Sequence, residues 1–312
     1  MIQLINAPSE LGAGTRGASL GYKAIKTASL HVDPTFFKRY EPIDVETANN
    51  LLFEHVDNPY GKRIKGVVKM YRRIAAQVAE TMDDQDFPLV ISGDHSNAGG
   101  TIAGVAQANP GKRLGVVWID AHSDLHSPYT SPSGNVHGMP LATAIAEDNR
   151  ESAINDVRGT ALRSWDQMKG PRQRVKPEDI VFIALRSSEE PEVHLINKYQ
   201  MAVHRTEEVR EKGVKAIYEA SLERLKDCDI IYVTFDVDSM DPEVSIGTGT
   251  PVPGGLTEAE AIEFLQLYAS NEKVACMEFT EVNPLLDDKG NAMGETAFRC
   301  LKATVEALEK RK

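Results

Sequence analysis

The run Leu114-Gly-Val-Val-Trp-Ile119 breaks off at Asp120-Ala-His-Ser-Asp124 and continues as Leu125-His-Ser-Pro-Tyr-Thr-Ser-Pro-Ser-Gly-Asn-Val-His-Gly-Met-Pro140. Six apolar or small residues without polar alternation read as a strand buried on both faces, the habit of parallel sheets. Carboxylates and imidazoles immediately beyond its edge suggest a site at the carboxyl end of that strand, where open α/β sheets hold ligands. Asp120, His122 and Asp124 alternate with small or neutral residues. If the extended backbone persists, all three side chains turn to one side. Such a group, with no Lys or Arg among them, repels itself and resists burial, and a bound cation relieves both problems. The alternative is a polar turn whose charges face water.

Two further stretches repeat the pattern. Ile230-Ile-Tyr-Val-Thr-Phe235 is followed by Asp236-Val-Asp238, then by Asp241-Pro242 and a glycine-rich loop. Phe87-Pro-Leu-Val-Ile91 is followed by Ser92-Gly-Asp-His-Ser96. Three expected strand ends thus offer two imidazoles, His95 and His122, and four carboxylates, Asp120, Asp124, Asp236 and Asp238.

The 312 residues, 41% hydrophobic, are enough for a sizeable core. The whole chain, 1–312, reads as one domain, since no linker divides it. The net charge of -11 argues against nucleic acid as the main partner, which calls for basic patches. Three cysteines without C-x-x-C spacing fit a reducing cytosol. Cys276, in an apolar run, reads as a small core residue. No signal peptide and no apolar stretch of about 20 residues is apparent, so the expected setting is cytoplasmic, away from membranes.

In order, the chain predicts a strand over 2–5, a glycine-rich loop over 12–21 and a helix over 22–29. Residues 42–45 suggest a short strand. Helical spacing of Val67, Met70, Ile74, Ala75 and Val78 predicts a helix over 63–82. Ser96 reads as the cap of a helix over 98–107. A helix over 137–147 closes the central loop. Residues 151–174, with Trp165 and the basic Gly170-Pro-Arg-Gln-Arg-Val-Lys176, read as a surface excursion. A strand over 179–185 and helices over 193–199 and 206–225 follow. The strand 230–235, a helix from Thr257, a strand over 273–279 and a helix over 293–310 complete the chain. His31, His55, His194 and His204 read as ordinary residues, and Arg16 as a surface or interface group. Strands alternating with helices predict a mostly parallel sheet with helices on both faces, a three-layer α/β fold.

Hard carboxylates with a minority of imidazoles suit Mn²⁺ rather than a thiolate-loving ion. Four carboxylates and two imidazoles exceed one ion's needs. If two of the aspartates bridge, two ions are served, roughly 3.5–4 Å apart. Water between such ions ionises near neutral pH, which implies hydrolysis of an electrophilic carbon or phosphorus centre.

Ser92-Gly-Asp-His-Ser96, Asp120-Ala-His-Ser-Asp124, Ser133-Gly-Asn-Val-His-Gly138 and Phe235-Asp-Val-Asp-Ser-Met-Asp-Pro242 resemble the signature blocks of the ureohydrolases, which include arginase, agmatinase and formimidoylglutamase. The resemblance extends to Val175-Lys-Pro-Glu-Asp-Ile-Val and Glu281-Val-Asn-Pro284 and is strongest to bacterial arginases. It implies an arginase-like fold with two Mn²⁺ per subunit, a small guanidino substrate and a homo-oligomer, trimer or hexamer. It implies one ion on His95, Asp120, Asp124 and Asp236, and the other on Asp120, His122, Asp236 and Asp238. It implies His137 as acid or proton shuttle, Glu281 on the substrate guanidinium, and Thr250 lining that pocket. The activity so implied is hydrolysis of L-arginine to L-ornithine and urea by a metal-bridging hydroxide. Taken by themselves, Glu281 is also readable as a surface acid and His137 as a helix cap.

For the far end of the substrate the resemblance implies Ser131, Ser133 and Asn135 on one loop and Glu189 and Glu192 on another. Two positions depart from the arginase pattern. His126 stands where arginases usually carry Asn, and Glu189 where they usually carry Asp. A longer acid shifts the substrate by about one methylene, worth roughly 1–3 kcal/mol of discrimination. The alternatives are therefore an agmatinase, a guanidino-acid hydrolase or a formimidoylglutamase, and beyond the enzymes an inactive metal-binding homologue.

Overall fold

The structure is a computed structural model that describes residues 1–56 and 58–311. Among them are eight strands in one sheet. They are β1 (Ile2–Ala7), β2 (Ile43–Asp44), β3 (Phe87–Ser92), β4 (Leu114–Ile119), β5 (Ile180–Ile183), β6 (Ala202–His204), β7 (Ile230–Asp236) and β8 (Val274–Thr280). Their order across the sheet is β2-β1-β3-β8-β7-β4-β5-β6, and every pairing is parallel. The helices are α1 (Gly21–Val32), α2 (Phe36–Arg39), α3 (Ile64–Asp83), α4 (Ala98–Ala108), α5 (Pro140–Ala144), α6 (Gly159–Lys169), α7 (Glu190–Lys198), α8 (Thr206–Lys212), α9 (Val214–Arg224), α10 (Glu258–Ala269) and α11 (Ala292–Leu308). Among the described residues no helix is long and apolar enough to cross a membrane.

The period-2 geometry of a strand splits the apolar runs between two cores. Val117 and Ile119 of β4, with Val233 and Phe235 of β7, pack with α1, α9, α10 and α11. Val116 and Trp118, with Tyr232, pack on the opposite face with α3, α4, α5 and α6. Both faces are covered, so the central strands need no polar alternation. Each fully buried large apolar side chain contributes roughly 1.5–3 kcal/mol.

The approach of α4 to α3 fixes where the segment after β3 lies. A Cβ on Gly99 would fall 2.0 Å from the Tyr71 hydroxyl, and one on Gly104 would fall 2.7 Å from the Ala75 carbonyl oxygen. Glycine at these two positions lets the helices close, which holds His95, one short turn ahead of α4, against the end of the sheet.

Several expectations need correction. Residues 151–174 are not merely a surface excursion: α6 runs through them and buries Ala161, Ser164, Trp165 and Met168. The helix expected over 206–225 is two, α8 and α9, parted at Gly213, whose φ of 84° lies in the region that glycine occupies freely. The short edge strand β6 has no counterpart in the sequence reading. Ser96 is not the cap. Asp94 caps the turn at His95–Asn97 by accepting the Ser96 N–H at 2.8 Å. The helix expected over 137–147 is a short turn at Val136–Gly138 followed by α5. Cys276 is a buried core residue, as expected. Arg16 braces its own loop by donating to the carbonyls of Glu10 and Ala13, each at 2.7 Å.

Candidate metal centre

The carboxyl ends of β3, β4, β7 and β8 lie side by side at the middle of the sheet, where consecutive strands depart in opposite directions. A cleft of about 310 Å³ opens there. His95, Asp120, His122, Asp124, His126, Ser131, Ser133, Asn135, His137, Glu189, Glu192, Asp236, Asp238, Thr250 and Glu281 all line it. Every residue singled out from the sequence thus falls in one place, together with Ser187 and Ser188, which the sequence reading passed over.

Asp120, His122 and Asp124 do not converge by strand alternation. β4 ends at Ile119, and Asp124 takes a left-handed φ of 49° that turns its carboxylate back toward the strand ends. Glu281 is left-handed too, at 65°. Such conformations cost of order 1–3 kcal/mol for a non-glycine residue and gather at functional sites.

His95 Nδ1 lies 2.9 Å from Asp120 Oδ2, 3.1 Å from Asp124 Oδ2 and 3.2 Å from Asp236 Oδ2, and forms an aligned hydrogen bond with none of them. His122 Nδ1 is 3.1 Å from Asp238 Oδ2 and 3.5 Å from Asp120 Oδ1. Two overlapping groups result, His95/Asp120/Asp236 and Asp120/His122/Asp238, with the ligating atoms of each within 4.8 Å of one another. The four carboxylates are at least nine-tenths buried. Burial, then the charge of Asp120, pushes the Asp124 carboxyl up to about 7. Burial, then Asp238 and Asp120, raises Asp236 well above the usual range. Burial works the same way on Asp120, but His122 and His95 outweigh it and hold that carboxyl low. A buried orphan imidazole nitrogen facing three carboxylates, with a second histidine and a fourth carboxylate adjoining, is a donor set that fits divalent cations.

Neighbours that the sequence reading gave no role orient these groups. Trp118 Nε1 donates to Asp120 Oδ2 at 2.9 Å, and its ring stacks on His95 with centroids 4.1 Å apart. His95 Nε2 meets the Thr234 hydroxyl at 3.0 Å. Asp94 lies beside the candidate ligands but turns away. Its carboxylate accepts the N–H groups of Gly12 and Ser96, both at 2.8 Å. Arg186 donates to carbonyls of Asp238, Ser239 and Val252 among others, tying the loop after β7 to the loop around Thr250.

Beside the carboxylates, His137 Nδ1 is 3.4 Å from Glu281 Oε1, and Glu281 Oε1 also accepts the His95 N–H at 2.9 Å. Burial disfavours a charged His137 ring, but Glu281 outweighs it and lifts the pKa to about 9. The Thr250 hydroxyl donates to Asp238 Oδ2 at 3.1 Å. At the mouth, Ser131 Oγ accepts the Gly134 N–H at 2.9 Å and Ser133 Oγ accepts the Asn135 N–H at 3.2 Å. Glu192 caps the start of α7 and accepts the N–H groups of Leu125 at 3.1 Å and Glu189 at 2.9 Å. His126 Nε2 points between Glu189 Oε2, at 3.4 Å, and Glu192 Oε2, at 3.6 Å.

A parallel sheet with buried acids and imidazoles at its central strand ends defines the class, an α/β protein with a cluster able to hold metal ions. The arginase family profile matches residues 1–308. The arginase of Bacillus subtilis (strain 168) is 34% identical over 309 residues, covering 97% of this chain and 96% of that protein. The crystal structure of the B. subtilis arginase superposes with a TM-score of 0.83 at 33% identity, covering 100% of this chain and 99% of that one. An Entamoeba histolytica arginase solved with L-ornithine gives 0.84 at 28% identity, covering 97% and 98%. The chain belongs to the arginase family and is a hydrolase acting on linear amidines.

Proposed function

We propose that the chain is a binuclear manganese arginase that hydrolyses L-arginine to L-ornithine and urea. The observation that carries this reading is the pair of overlapping donor groups that share Asp120. His95, Asp120, Asp124 and Asp236 would hold one ion, and Asp120, His122, Asp236 and Asp238 would hold the other. Oxygen and imidazole donors suit Mn²⁺, and the three cysteines are buried away from the cleft. The metal pair supplies Lewis acidity and a water ionised near neutral pH.

The chain's own residues do the rest. Thr234 accepts the Nε2 proton of His95, which leaves the Nδ1 lone pair for the ion, and Trp118 fixes the Asp120 carboxylate. Glu281, 3% exposed, pairs with the guanidinium, a planar cation with a fork of donors, and would orient it in the cleft. His137, next to Glu281, delivers a proton to the departing amine. Ser131, Ser133 and Asn135 receive the α-carboxylate, and Glu189 and Glu192 receive the α-ammonium.

His126 between two acids favours a second reading, hydrolysis of another guanidino or formimino compound. One experiment separates the two. Mn²⁺-loaded protein is offered L-arginine, agmatine, guanidinobutyrate and guanidinoacetate with urea measured, and formiminoglutamate with formamide measured. Marked preference for L-arginine is expected. Turnover of another member with arginine poor would give the second reading, and no product from any of them would remove both.

A further inference from the structure

A second concave site lies at the opposite end of the sheet. It is an open cleft of about 690 Å³ between the end of α4, the turn into β4 and residues 171–179. It shares no lining residue with the metal cleft. The six residues of β4 separate the two, about 20 Å at roughly 3.3 Å per residue.

Its charge is opposite to that of the molecule. The chain carries 46 acidic and 35 basic residues. Its lining holds five cations, Lys112, Arg113, Arg172, Arg174 and Lys176, and one acid, Asp179; Asp227, outside the lining, lies 3.8 Å from Arg113 Nη1. The Asp179 carboxylate is fully engaged, because Arg113 donates to it through Nε at 2.7 Å and Nη2 at 2.8 Å. Among the described residues, none of the other four cations has a carboxylate within ion-pair distance.

Three of the four are exposed, and by themselves describe an ordinary surface. Arg174 is different. It is half-buried, held by its backbone N–H on the Ala144 carbonyl at 2.8 Å. Among the described residues its guanidinium makes a single hydrogen bond, from Nη1 to the Thr143 carbonyl at 3.3 Å. A guanidinium carries five donors. Burial disfavours its charge. Its Nε and Nη2 have no partner among the described residues and are open to solvent, so a ligand in the cleft can reach them.

We propose that this cleft binds a small oxyanion ligand of the phosphate or polycarboxylate class. The Arg174 fork takes two ligand oxygens at the floor, the geometry in which guanidinium pairs best with either group. Arg172, Lys176 and Lys112 balance the remaining charge at the rim, so a ligand with several negative charges is preferred to a monoanion. The volume lies within the range of small-molecule sites. The basic segment Gly170–Lys176, which the metal centre leaves unused, acquires a role.

Calorimetric titration of the full chain tests this with phosphate, pyrophosphate and tricarballylate as probes. One saturable site is expected. The preferred probe separates phosphate from carboxylate chemistry. Arg174→Gln should weaken binding at least tenfold. The exposed pair Arg172→Gln/Lys176→Gln, which spares the core, should weaken it several-fold and flatten its salt dependence. Asp124→Ala should bind as the unaltered chain does. Absence of saturable binding by all three probes, undiminished affinity in the folded cleft variants, or loss of binding in Asp124→Ala would each overturn the proposal. None of these readouts depends on the substrate of the metal centre.

Discussion

Asp120 illustrates how one side chain is committed several times over. One oxygen accepts the Trp118 N–H and faces His95 Nδ1, and the other accepts the His122 backbone N–H at 2.7 Å. Removing the indole donor with Trp118→Phe keeps most of the ring volume and frees one carboxylate oxygen. Manganese affinity should then fall about tenfold or more, the usual loss when a ligand's own partner is removed, measured by metal-binding calorimetry. His137→Ala should leave the bound metal unchanged by elemental analysis and cut turnover about 10²-fold or more. An unaltered rate would reduce His137 to a turn residue. The ligand candidates were legible because three apolar runs each end abruptly in acids or imidazoles. Trp118 and Thr234 were not, because they sit inside those runs and read as core. Asp94 belongs to a signature block, but its carboxylate is consumed by backbone N–H groups, a use that no residue type announces.

At the scale of elements, the long runs 87–91, 114–119 and 230–235 became strands because burial on both faces demands uninterrupted apolar sequence. α6 escaped for a related reason. Its inward positions 161, 164, 165 and 168 keep helical spacing, but two of them are Ala and Ser and leave only a faint stripe. What anchors it is polar. Trp165 Nε1 donates to Asp148 Oδ1 at 2.7 Å, and the Lys169 ammonium pairs with the same carboxylate. Partial burial raises the Asp148 pKa, and Lys169 and Trp165 outweigh it, so the carboxyl lies below its usual value of 3.8. A depressed folded pKa gives stability that is present above the unfolded value and lost as pH falls through the folded one. Asp148→Asn should therefore cost roughly 1–3 kcal/mol near neutral pH. Its deficit against the unaltered chain should shrink as urea unfolding is repeated at decreasing pH through the acid range. A deficit independent of pH would show that packing rather than charge holds α6.

At the scale of the whole molecule, the sheet brings together residues as distant in sequence as His95 and Glu281, and four buried carboxylates repel one another at its centre. Cations that bind only the folded chain must stabilise it. At a hundred times the dissociation constant the gain is about 2.7 kcal/mol. Scanning calorimetry should show the melting temperature rising by several degrees with Mn²⁺ and falling back with chelator, and Asp236→Ala should blunt the rise. The order of strands was not legible, since alternation of strands and helices fixes parallel pairing but not which strands are neighbours. That order has a further consequence at its margins. The sheet finishes in β2, two residues long, and β6, three residues long. Neither border exposes enough unpaired backbone to recruit a strand from another molecule, the usual route by which sheet proteins aggregate. Short margins of this kind disfavour edge-to-edge joining of two sheets, which protects the strands that carry the candidate metal cluster.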